Sequence, residues 1–114
     1  MDEQDVTALI DELVEYAHVL DASFEDHNPL LLGSVALQLR EAVSPLYEVL
    51  EKGPKPWRNA TGGAWVAMNS AGSVEEQLAL SELDRGRIGA AVSFTVSGVE
   101  QLLAKWSQVL ERNT

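Results

Sequence analysis

The amino-acid sequence predicts an all-α fold, three to four helices in an antiparallel bundle with a long crossover loop, and three observations predict it. Apolar residues recur at three- and four-residue intervals along most of the chain, which places them on one side of an α-helix. Start and stop signals bracket these stretches at Asn28-Pro29 and Gly53-Pro54. The composition, 46% hydrophobic and 23% charged over 114 residues, suits one helical domain covering 1–114 with a core of its own.

The first helix is expected over about 5–24. Val6, Leu9, Ile10, Leu13, Ala17, Leu20 and Phe24 form its apolar stripe, Asp2 or Asp5 can cap its start, and Asp11, Glu12, Glu15, His18 and Asp21 make a solvated outer face. Asn28 then accepts a free backbone N–H and Pro29 is preset to the first helical dihedral, so a second helix is expected over 29–52. Its stripe is Leu32, Val35, Leu39, Val43, Leu46 and Leu50. Pro45, lacking an N–H, is expected to bend or interrupt it. The two helices should form an antiparallel hairpin.

From 53 to 72 the text changes. Pro54, Pro56, Gly62, Gly63 and Gly72 punctuate it around Trp57, Trp65 and Met68, which predicts a long loop, with Ala64 to Met68 as an alternative short helix or strand. Ser73-Val74-Glu75-Glu76 has the form of a capping box and predicts a third helix over 73–84. Asp84-Arg85-Gly86-Arg87 marks a break before a fourth helix over 86–112, carried by Ile88, Ala91, Val92, Thr95, Val99, Leu102, Leu103, Trp106 and Leu110. The alternation across residues 92–96 also suits a strand, but the stripe stays in phase into a helical end. Gly86, Gly89, Ala90, Ser93, Ser97 and Gly98 leave one side of this helix bare. Another backbone can approach there, first from within the chain and otherwise from a second copy in a homodimer.

Charge and composition narrow the function. A net charge of -10 with eight scattered Lys and Arg opposes direct nucleic-acid binding. Cysteine is absent, so disulfides, thiolate metal sites and cysteine nucleophiles are excluded. The acidic start, the lack of an apolar run of about 20 residues and the lack of cysteine together predict a cytoplasmic protein with no membrane contact. The charge is uneven: residues 1–28 hold nine of the eighteen acids and no Lys or Arg, whereas 52–69 hold Lys52, Lys55 and Arg58 and no acid.

The chemistry on offer is sparse. Glu15-Tyr16-Ala17-His18 is a Glu-x-x-His on a helix, half of a di-iron motif, and without a second half it reduces to a single-metal site of His18, Asp21 and Glu25. Thr61-Gly62-Gly63 lacks the lysine of a phosphate-binding loop, and no nucleophile elbow or Ser-His-Asp order occurs. No cofactor is implied. Trp57, Arg58 and Trp65 lie in a cationic segment of an acidic molecule and are of the residue types that carry interface energy, so they are the expected partner site. The alternative is that both indoles fold back over the helical hairpin.

Ala17-His18-Val19-Leu20-Asp21-Ala22-Ser23 locally resembles the phosphoacceptor segment of histidine phosphotransfer domains, acidic helical bundles of about this length. The resemblance covers seven residues and implies His18 as acceptor, with Asp21 and Ala22 standing where those domains usually carry lysine and glycine. The length and hairpin also invite comparison with the WXG100 proteins, but Glu25-Asp26-His27-Asn28 occupies the place of their Trp-x-Gly turn. The leading expectation is a non-enzymatic regulatory or accessory protein acting by protein-protein contact.

Overall fold

The computed structural model describes residues 1–112, and every regular element among them is helical. Helix α1 spans Glu3–Glu25 and α2 spans Pro29–Lys52; a short 3-10 helix covers Lys55–Ala60, followed by α3 over Thr61–Leu78 and α4 over Arg85–Arg112. Asp2 caps α1 by accepting from the Asp5 N–H at 2.9 Å while the Asp5 carboxylate accepts from the Asp2 N–H, a reciprocal pair that satisfies two backbone donors. Asn28 caps α2 by accepting the Leu31 N–H at 3.1 Å, with Pro29 in the first turn as expected.

Three expectations are corrected. The segment 53–72 is not a loop: the 3-10 helix and most of α3 occupy it, and Gly62, Gly63 and Gly72 lie within helix. Nor does Ser73-Glu76 start a helix. It falls inside α3, where the Ser73 hydroxyl donates back to the Asn69 carbonyl at 3.2 Å, and α3 ends at Leu78, so residues 79–84 form the connection that the 73–84 helix was expected to fill. Pro45 does not interrupt α2, which runs through it with Pro45 exposed. Residues 92–96 are helical.

The helices pack in chain order, α1 on α2, α2 on α3, α3 on α4 and α4 back on α1, with α1–α3 and α2–α4 on the diagonals. Short connections make neighbours antiparallel. The result is a rod of 49 × 21 × 19 Å. The small residues explain its closest contact. A Cβ on Gly63 would stand 2.5 Å from the Leu102 backbone N, and one on Gly98 would stand 2.6 Å from that of Ala67. Gly98 thus serves packing within the chain.

The core has two parts. Val6, Ile10, Leu13, Leu46, Leu50, Leu102 and Trp106 fill the half near the 3-10 helix, while Leu20, Leu32, Val35, Val74, Ile88 and Val92 fill the other. In the first of these halves the Trp106 indole N–H donates to the Thr7 hydroxyl at 2.9 Å, and that hydroxyl donates to the Glu3 carbonyl at 2.8 Å. Across the α2–α3 seam, Arg40 pairs with Glu75 through two guanidinium N–H groups, a fork-to-fork contact that holds the Arg40 charge more firmly than usual, first by hydrogen bonding and then by Coulomb attraction.

Candidate functional site

The two connections at one end of the rod frame a cleft. Helix α1 closes in a left-handed turn: His27, with φ of 54°, donates its N–H to the Phe24 carbonyl at 3.1 Å, and Asn28 donates to that of Ser23 at 3.0 Å. Opposite, the Asp84 carboxylate accepts the Arg87 N–H at 3.1 Å at the start of α4. Between them lies a cleft of about 260 Å³, walled by Phe24, Leu32, Leu78, Leu83 and Ile88.

Arg85 organises its rim. The guanidinium lies 4.2 Å from the centre of the Phe24 ring, and Nη1 donates to the Phe24 carbonyl at 3.3 Å and meets His27 Nδ1 at 3.0 Å. Arginine only donates, so Nδ1 accepts and a neutral His27 carries its proton on Nε2. The tip of the Phe24 ring approaches Gly89 so closely that a Cβ there would lie 2.8 Å from Phe24 Cζ. Around this cleft Leu30 is 88% exposed, Leu83 53%, Leu80 50% and Leu31 43%. Gln77, whose Oε1 is buried without a hydrogen-bond partner, lines a second, more open depression beside Leu80 and Leu83.

The residues singled out in the sequence separate. Trp57 is buried, edge-on to Trp106 with ring centres 5.3 Å apart and planes at 80°, so its indole is core. Arg58 is exposed and donates Nε to the Glu51 carbonyl at 3.2 Å. Trp65 is 53% exposed on the outer side of α3. Trp65 and Arg58 thus remain surface groups. His18, Asp21 and Glu25 are all exposed on α1, and among the described residues no group of three or more His, Asp or Glu is placed to hold a metal. Spacings of three and seven residues share a face but spread about 10 Å along the axis, beyond the reach of one ion.

Comparison with protein-family models, curated proteins and solved structures returns no match. The functional reading is therefore built on the chain's own geometry. Among the described residues no helix is long and apolar enough to cross a membrane. The cleft was missed at the sequence level because its partners lie far apart in the chain, Arg85 being 61 residues from Phe24 and 58 from His27. The signal available was Leu80 and Leu83, two leucines beside a break in the helical pattern.

Proposed function

We propose that the protein acts by contact with another protein, docking through the end of the rod where the α1–α2 turn meets the α3–α4 connection. The observation that carries this reading is the exposure of Leu30, Leu31, Leu80 and Leu83 at that one end. Contiguous exposed apolar side chains mark interaction sites on protein surfaces. Exposed Glu25, Asp26, Glu82 and Asp84 stand in the same turns, so the fitting partner offers an apolar socket with a basic rim. A photo-crosslinking residue at position 30, read in host cells, should give a discrete protein adduct that position 19 does not. An adduct from position 65 instead would move the docking site to Trp65 and Arg58.

One further contact extends the proposal. Phe94 is 62% exposed on α4 beside exposed Ala90, Ser93 and Ser97, a smooth face suited to a second copy. Light scattering should then show a dimer that Phe94→Glu splits. The exposure of His18 on α1 favours the phosphotransfer reading as the alternative. It requires that phosphoramidate label the wild type and leave His18→Ala unlabelled.

A further inference from the structure

We infer that the cleft between the α1–α2 turn and the first turn of α4 binds a small apolar carboxylate, its hydrocarbon part against Phe24, Leu32 and Ile88 and its carboxylate on Arg85. This inference stands independently of the protein-docking reading. It rests on the size of the cleft, the charge of its lining, and the donors that Arg85 has left over.

A dry apolar cavity of about 150 Å³ takes benzene. By that scale the cleft, about 260 Å³, takes a molecule of roughly ten non-hydrogen atoms. Although the chain carries a net charge of -10, no Asp or Glu lines this cleft, and Arg85 is the one lining residue with a formal charge when His27 is neutral. Of the acids in the surrounding turns, Glu82 and Asp84 line the adjoining depression and not this cleft, and Asp84 pairs with Arg87 at 3.6 Å.

Arg85 is fixed yet unspent. Stacking on Phe24 and the two Nη1 contacts hold the guanidinium plane. Among the described residues it pairs with no carboxylate, and Nε and Nη2 have no partner, so the fork that receives a carboxylate bidentately is open. His27, fixed through Nδ1, adds an Nε2–H donor at the same rim. A hydrophobic pocket with a few placed polar groups is the usual form of a small-molecule site.

The test is a titration of the full chain with sodium octanoate, which matches the size of the cleft, beside 1-octanol, its uncharged counterpart, followed by amide NMR shifts. Octanoate should move the signals of residues 23–32 and 78–88 and bind about tenfold more tightly than octanol, the ratio a charge-assisted hydrogen bond supplies. Arg85→Gln, confirmed as folded by circular dichroism, should erase that preference. Equal affinity for the two compounds, shifts centred elsewhere, or no binding of octanoate at low-millimolar concentration overturns the inference. The comparison on the wild type needs no variant, so it decides the matter even if Arg85→Gln fails to fold. Because no partner protein is present, the outcome is separate from that of the crosslinking experiment.

Discussion

At Gly98 one added carbon sets two helices apart. Its Cβ would meet the backbone of Ala67 at 2.6 Å, and backbone cannot swing aside. Gly98→Ala should cost about 1–3 kcal/mol in urea denaturation through overpacking. Gly72 predicts the opposite sign. Its added Cβ would meet only Arg40 Cδ at 3.8 Å, so Gly72→Ala should gain about 0.5–1 kcal/mol from helix propensity. The tryptophans divide in the same way: Trp57→Ala opens a core cavity and should cost about 3–5 kcal/mol, whereas Trp65→Ala, removing a half-exposed indole, should cost clearly less in the same assay. Tyr16 offers a pH readout. Its hydroxyl donates to Glu12 Oε1 at 2.7 Å, which raises its pKa above the usual value, with burial and then the Glu12 charge adding to the rise. The raised value means the neutral phenol is favoured in the fold, so its stabilisation is present below pH about 10 and lost as pH climbs through the folded pKa. In an ultraviolet phenolate titration, Tyr16→Phe should remove a late-ionising component and Glu12→Gln should shift it to lower pH.

At the scale of the element, α1 and α2 were legible because their signals are local. Asp2 and Asn28 cap through neighbours three residues away, and apolar spacing needs no partner to be recognised. Helix α3 was not legible. Gly62 and Gly63 read as loop because glycine disfavours an isolated helix, yet Gly63 admits the α4 backbone at a distance any side chain would forbid. Ser73-Glu76 misled for a related reason: the same residues suit a capping box or the middle of a helix, and what tells them apart is the Ser73 hydroxyl donating back to the Asn69 carbonyl. Pro45 sits mid-helix in α2, where it leaves the Glu41 carbonyl without its helical donor. Because Pro45 is exposed, Pro45→Ala should raise stability by about 1–3 kcal/mol, seen as a higher thermal midpoint.

The whole molecule is an acidic rod whose α1 carries much of the charge. With a net charge of -10 and no Lys or Arg among residues 1–28, like charges repel in the folded state. Raising sodium chloride from low to physiological strength should therefore raise the melting temperature, as screening shortens the reach of that repulsion. The sequence by itself determined the helical class, the bounds of α2 and, to within two residues, those of α1, the helical path of α4 and most of the apolar stripes that became core, because periodicity and caps act within one or two turns. Tertiary structure alone decided that glycine-rich text folds as α3, that Trp57 is buried while Trp65 is exposed, and that Phe24, His27 and Arg85 meet at one cleft. These outcomes depend on which surfaces face each other across some sixty residues of chain, as between Phe24 and Arg85, and a local pattern carries no record of that pairing.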